Sequence, residues 1–222
     1  MTRLFSPLFL AAFLLAGTAH AQEPAPGHNQ IPYKDLSAIA KRIGEVKTPI
    51  DRLLIQTRAK PKDEKRAPDS VAMVIKAKAG DIKVPIAADG AFSLPIDPAL
   101  EAENPMIDVN VPKGQLGIEV NIRAKPLGQA FRYADAAAAM DQFDALIEEQ
   151  AGMMALMAPS AKAFGVKCGA DCKATLALAA GDKVIAAGEG GIVPIPRDKK
   201  LAKENPAITV SHPVEAALIR TK

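Results

Sequence analysis

The sequence predicts an α+β protein, mostly β, built as a pseudo-twofold pair of two copies of one unit. Three observations lead to this fold class: the chain resembles itself at a fixed offset, each copy begins with a helical apolar stripe, and each continues with apolar residues at every second position. Each unit is therefore expected to open with one helix and to continue as an antiparallel meander of about five strands.

The internal resemblance is the strongest of these signals. Residues 71–112 align without a gap on residues 172–213, and 13 of the 42 pairs are identical. Repetition at a fixed offset is typical of a duplicated module. The sequence therefore predicts a tandem duplication, in which polar and glycine positions recur together with the apolar pattern.

Residues 1–21 have the composition of a secretory signal. Arg3 precedes the apolar run 4–17, and Ala19 and Ala21 frame a small-x-small cleavage site. The run is shorter than the roughly 20 apolar residues of a membrane span. We expect cleavage after Ala21, a periplasmic or secreted protein, and no membrane insertion afterwards. The remaining chain divides into a flexible lead-in at 22–32, a first unit at 33–123, a linker at 124–132 and a second unit at 133–222.

An amphipathic helix is expected at the start of each unit. Leu36, Ile39, Ala40 and Ile43 have the spacing of one helical face. Gly44 is suited to end this helix. The second copy repeats the pattern at an offset of 100, with Tyr133 echoing Tyr33, and its stripe continues to about residue 150 before Gly152.

Strands are predicted where the period changes to two. In the first unit they cover 71–79, 82–87, 91–96, 106–111 and 115–123, and in the second 172–180, 183–187, 192–196, 207–212 and 215–221. A further strand is possible at 52–59. Its counterpart at 153–157 is a short apolar run, which fits either a strand or an extension of the helix.

Composition argues against some classes of function. The net charge is +3, aromatic residues make up 4% of the chain and tryptophan is absent. Nucleic-acid and anionic-membrane binding favour clustered basic charge, and sugar or single-strand binding favours aromatic platforms. No nucleic-acid partner is therefore expected.

One polar loop motif occurs in both units. Two interpretations are open: its carboxylates could bind a cation or act as an acid and base pair, or its residues could fix the loop by bonding to local backbone. Retention in both copies favours the structural interpretation. The motif consists of Asp97, Glu103, Asn104 and Pro105 in the first unit and Asp198, Glu204, Asn205 and Pro206 in the second.

The two cysteines, Cys168 and Cys172, both lie in the second unit. In an oxidising compartment, such a close pair is expected to form a disulfide. The alternative is a copper site in which the two sulfurs are joined by His212, which replaces the inward-facing Val111 of the first unit. Soft methionine ligands would then come from a nearby run that contains Met153, Met154 and Met157.

The sequence offers few residues that could carry out nucleophilic hydrolysis. His28 and His212 are the histidines left after signal cleavage, and no serine lies in a Gly-x-Ser-x-Gly elbow. No catalytic residue, metal ligand or cofactor is assigned. The sequence favours a non-enzymatic binding or interaction protein whose partner is another protein or a small apolar ligand. Copper handling and a carboxylate-based enzyme are the alternatives.

Overall fold

The computed structural model describes residues 29–151 and 158–221, and within them it is an α+β fold dominated by strands. This confirms the α+β, mostly β class that the sequence predicts. The first half comprises β1 (Asn29–Pro32), α1 (Tyr33–Gly44), β2 (Leu53–Pro61), β3 (Met73–Ala77), β4 (Gly80–Val84), β5 (Ala91–Phe92), α2 (Pro98–Glu103), β6 (Met106–Val109) and β7 (Leu116–Ala124). The second comprises β8 (Ala130–Arg132), α3 (Tyr133–Ala151), β9 (Ala163–Lys167), β10 (Lys173–Ala177), β11 (Lys183–Ala186), β12 (Ile192–Pro196), α4 (Lys199–Glu204), β13 (Ala207–Val210) and β14 (Ala216–Arg220).

The predicted meander is wrong. The strands of each half are divided between two antiparallel sheets, ordered β1-β6-β3-β4 and β5-β2-β7 in the first half and β8-β13-β10-β11 and β12-β9-β14 in the second. Strand β6 pairs with β3 instead of following β5, because α2 carries the chain across to the other sheet. Alternation shows which residues are extended but carries no information about which strands become neighbours.

The expected lead-in and linker also need correction, because each contains a strand. Asn29–Pro32 pairs with β6, and Ala130–Arg132 pairs with β13. Both are short edge strands, and Pro32 is tolerated at an edge because it has no N–H to donate. Ala124 ends β7 instead of opening a linker. The signal, the rest of the lead-in and the apolar run at 153–157 lie outside the described residues.

The order and register of the elements recur between the halves. In β3, Ile75 faces Ile107 and Ile82, and in β10, Leu176 faces Ile208 and Lys183, which lie 101 positions further along. The predicted extra strand at 52–59 is β2. Its counterpart by register is β9, since Thr57 of β2 faces Phe92 and Val166 of β9 faces Val193.

The two helices that open the halves differ in length. Helix α1 has 12 residues and buries Tyr33, Leu36 and Ser37. Helix α3 has 19 residues and buries a longer apolar stripe that runs to Leu146. None of the described helices is long and apolar enough to cross a membrane.

Each half has its own apolar core, and the sheet β5-β2-β7 reaches both. Ala59 of β2 belongs to the core of the first half, where it is 2% exposed. Leu53 at the other end of the same strand, together with its partner Ala124, belongs to the core of the second half. The middle of this sheet therefore lies between the two cores.

Candidate functional site

The repeated loop motif bonds to backbone in both halves. The carboxylate of Asp97 accepts from the amide of Ala99 at 2.7 Å and begins α2. Asp198 does the same for α4, accepting from Lys200 at 2.6 Å and Leu201 at 3.2 Å. These two amide hydrogen bonds lower the pKa of Asp198 below its ordinary value. Both aspartates thus cap a short helix.

Each of the two glutamates of the motif accepts a hydrogen bond from the backbone of a hairpin turn. Glu103 accepts from the amide of Lys78 at 2.7 Å, between β3 and β4, and Glu204 accepts from the amide of Ala179, between β10 and β11. Each carboxylate therefore joins the loop to a hairpin of its own half. Neither glutamate lines the pockets described below.

The asparagines and prolines of the motif accept hydrogen bonds from the first backbone amides of α1 and α3. Asn104 and Asn205 have left-handed backbone conformations, with φ of 49° and 48°, and they end α2 and α4. Their side chains accept from the amides of Lys34 at 2.9 Å and Ala134 at 2.8 Å. The carbonyls of Pro105 and Pro206 accept from the amides of the two tyrosines that begin α1 and α3, at 2.9 and 3.0 Å.

These two tyrosines are structural residues whose role the sequence did not reveal. Tyr33 is fully buried and donates its hydroxyl to the carbonyl of Pro95 at 2.6 Å. Tyr133 donates to the carbonyl of Pro196 at 3.0 Å. The signal was present, since both tyrosines recur at equivalent positions and are the only tyrosines in the chain.

Cys168 and Cys172 form a disulfide with a Cα–Cα distance of 5.7 Å. Their sulfurs are bonded to one another, so in this state they supply no thiolate ligand. His212 is exposed instead of facing inward as predicted, and its Nδ1 lies 2.8 Å from Ser211 Oγ. The equivalent Val111 follows β6 in the same way and is 1% exposed, so the difference lies in the side chain: the polar imidazole stays at the surface beside Ser211, where an apolar side chain is buried.

The wider copper hypothesis has no further support among the described residues. No group of three or more His, Cys, Asp or Glu side chains within 29–151 and 158–221 is arranged to hold a metal ion. Met153, Met154, Met157 and His28 lie outside these residues.

An apolar pocket lies between α1 and the sheet β5-β2-β7. Its volume is about 560 Å³. No charged side chain is among the described residues that line it. The lining residues are Ala40, Ile43, Ile55, Gln56, Thr57, Pro85, Ile86, Ala87, Ala91, Phe92, Ser93 and Leu94.

A second pocket of about 310 Å³ lies between α1 and α3. Its walls come from both halves of the chain, and its floor is the sheet formed by β2 and β7. The lining residues are Ile39, Arg42, Ile43, Val46, Ile55, Val120, Ile122, Leu146, Ile147 and Gln150. The two pockets are adjacent, since Ile43 and Ile55 line both. We call the combined space the α1 cleft.

The α1 cleft exists because α1 leaves part of an apolar sheet face uncovered. Ile55 faces Ile122 across the ladder and Thr57 faces Val120, which is 45% exposed. In the second half, the corresponding face of β9 is covered by α3, and Phe164 and Val166 are each 1% exposed. A longer helix therefore covers the sheet in one half, and a shorter one leaves it accessible in the other.

Side-chain size contributes to the same difference. The equivalents of Ala40 and Ile43 in α3 are Met140 and Phe143, which are 0% and 7% exposed. The equivalent of Ile55 is Phe164. Larger residues thus fill the space between helix and sheet in the second half, while smaller ones leave the first half with a cavity.

Hydrogen bonds and an ion pair tie the segment that follows α1 to α3, beside the cleft. Glu149 of α3 accepts from the amides of Lys47 and Thr48, at 2.9 and 2.8 Å, and from the Thr48 hydroxyl at 2.6 Å. In the first turn of α3, Asp135 pairs with the guanidinium of Arg52 at 2.9 Å. The loop between α1 and β2 is therefore held against α3.

The Glu149 contact makes part of the stability depend on pH. The amide of Lys47, followed by the hydroxyl and amide of Thr48, lowers the pKa of Glu149 below its ordinary value. A depressed folded pKa stabilises the protein above the unfolded pKa of about 4.3, and this contribution is lost as the pH falls through the lower folded value. We expect Glu149→Gln to melt below wild type at neutral pH and at the same temperature as wild type in acid.

Melting curves from about pH 7 to about pH 3 would check this expectation. Glu148→Gln is the matched control, because it removes the same charge from the adjacent exposed position of α3. An equal offset for both variants at every pH would show that the Glu149 contact contributes nothing specific.

Comparison with known proteins gives a family but no described relative. No curated protein and no solved structure matches the chain significantly. One family model, described as "Protein of unknown function (DUF2987)", matches residues 29–168. The match covers the first half, the α1 cleft and α3, and ends at Cys168. Since it spans more than half of the sequence, the chain belongs to the DUF2987 family.

Proposed function

We propose that this is an exported, non-enzymatic binding protein, formed by duplication of one module, that holds a small apolar ligand in the α1 cleft. The observation that carries the proposal is the cleft itself. Ligand pockets typically measure about 300–1,000 Å³ and are lined mainly by apolar side chains, and the larger pocket of the cleft, at about 560 Å³, fits that description.

The duplication is supported by a pattern in the sequence and by a pattern in the strand pairing that has the same offset. The sequence halves share 13 of 42 aligned residues, and the strand pairs repeat with the same offset of 101 between β3 and β10. Crevices between domains are preferred sites for ligands. A duplicated protein can keep one copy for stability while the other accumulates smaller side chains around a cavity.

Export is supported by the composition of residues 1–21 and by the disulfide between Cys168 and Cys172. Disulfides persist in oxidising compartments such as the bacterial periplasm. These two features support a location in the periplasm or outside the cell, after cleavage following Ala21.

Binding is favoured over catalysis because of the chemistry of the lining. General acid–base catalysis needs a titratable group within hydrogen-bond reach of the reacting atoms. The described residues that line the larger pocket offer hydroxyl and amide groups from Ser93, Thr57 and Gln56, and their remaining side chains are apolar. Such a surface suits desolvation of an apolar molecule, with few polar groups to orient it.

The proposal can be tested with N-phenyl-naphthylamine, a neutral dye that becomes fluorescent in apolar surroundings. The chain has no tryptophan to interfere with the emission. We expect saturable binding to the protein without its signal. Ala40→Met, which copies Met140 of α3, should fill part of the cleft and weaken binding by about tenfold.

The matched control is Ala38→Met, which adds the same side chain on the exposed face of α1. It should bind the dye like wild type. Melting curves of both variants would show that they are folded. Absence of saturable binding by wild type, or an equal effect of the two substitutions, would contradict the proposal.

A further inference from the structure

We infer that the natural ligand of the α1 cleft is an anionic amphiphile, with a single apolar chain in the cleft and a carboxylate beside Arg42. This inference depends on the proposed binding function and names the chemical class of its ligand. It is carried by the position of one charged residue in an otherwise uncharged lining.

Arg42 is the charged side chain among the described residues that line the cleft. It belongs to the smaller pocket and is exposed, so it lies where the cleft opens to solvent. Gln150 of α3, also exposed, lines the same pocket and can donate a further hydrogen bond from its amide. A cation and an amide donor at the opening of an apolar space are suited to a ligand with an anionic head and an apolar tail.

Two of the acidic side chains that contact α1 or the loop after it are engaged with other partners. Glu101 pairs with Lys41 at 2.8 Å, and the carboxylate of Glu149 is occupied by Lys47 and Thr48. Glu45, which follows α1, is exposed to solvent. Among residues 29–151 and 158–221, Arg42 takes part in none of the ion pairs of the structure. Its guanidinium is therefore available to a ligand carboxylate.

The apolar part of the cleft favours a flexible chain. The two pockets are adjacent and share the lining residues Ile43 and Ile55, so a ligand that occupies both has to pass these two side chains. A linear alkyl chain can follow such a path by rotating about its own bonds. Each buried methylene contributes about 0.8 kcal/mol, which corresponds to an approximately fourfold gain in affinity.

Calorimetric titration with linear carboxylates of increasing length, below their micellar concentrations, tests the chain. We expect affinity to rise by about fourfold for each methylene until the cleft is full, and then to level off. An affinity that does not depend on chain length would overturn the inference.

The head group is tested by comparing dodecanoate with dodecanol and dodecylamine. Wild type should bind the carboxylate about fivefold more tightly than the alcohol, as expected for an exposed ion pair, and should bind the amine most weakly. Arg42→Gln should abolish the preference for the carboxylate, and Arg42→Glu should reverse it. Lys113→Gln, which removes one positive charge from the turn between β6 and β7, should retain it.

The outcomes separate this inference from the proposed function. If the dye and the alcohol bind but wild type shows no preference for the carboxylate, the cleft binds apolar ligands and the inference about Arg42 is wrong. The inference is also overturned if Arg42→Gln and Lys113→Gln alter the preference equally. If the dye, the alcohol and the carboxylate all fail to bind, the proposed function itself is wrong.

Discussion

Truncation of Phe164 to alanine is expected to lower the free energy of unfolding by about 4 kcal/mol. Phe164 is 1% exposed on β9, and its ring packs against Phe131 with a centroid distance of 6.0 Å. Large-to-small changes at such positions remove apolar contacts and leave a cavity that the surroundings fill only partly. Urea denaturation, followed by far-ultraviolet circular dichroism, would measure the loss.

The matched comparison is Ile55→Ala, at the same register position in the first half. Ile55 is half-buried and already lines the open α1 cleft. Its truncation enlarges an existing space instead of creating a closed one, so we expect a loss of about 1 kcal/mol. Equal losses of unfolding free energy for the two variants would mean that the face of β2 is packed as tightly as the face of β9, contrary to the structure.

Gly90→Ala is expected to destabilise the protein by about 3 kcal/mol. Gly90 has a φ of +85°, and a Cβ added there would lie 2.5 Å from the carbonyl oxygen of Ala59. The contact is with backbone, which is also tied to this turn because the amide of Ala59 donates to the Gly90 carbonyl at 2.9 Å. Neither group can move without breaking the attachment of the turn to β2.

Gly114→Ala separates the steric clash of the added Cβ from the cost of placing alanine in a left-handed backbone conformation. Gly114 has a similar φ of +80°, but an added Cβ would find no atom within 4 Å. The variant should therefore show only the left-handed backbone cost of about 1 kcal/mol. Urea midpoints of the two variants would check the difference, and a loss at Gly90 no larger than at Gly114 would exclude the steric explanation.

The local features of the fold were predictable from the sequence because they depend on neighbouring residues. The stripe from Leu36 to Ile43 indicated α1, and period-two alternation indicated β3 and β10. The sheets were not predictable, because the long pairing of β2 with β7 joins residues as distant as Leu53 and Ala124. Alternation assigns each side chain to a face but does not select the partner strand.

The candidate site could be anticipated only in part. The sequence favoured a protein or a small apolar molecule as the partner, and the structure has an apolar cleft to which α3 contributes Leu146 and Ile147. The location beneath α1 was missed, although the offset of 100 already placed Met140 opposite Ala40. A difference in side-chain size becomes a cavity only if helix and sheet keep their spacing, and spacing is a tertiary property.

In the sheet β5-β2-β7, strand β2 contributes Ala59 to the core of the first half and Leu53 to the core of the second half. Separating the chain between the halves would expose Leu53 and Ala124, which are 2% and 1% exposed in the intact protein. Neither fragment would inherit a complete interior. We therefore expect the two halves to unfold together in one cooperative transition, because removing either half would expose core residues of the other.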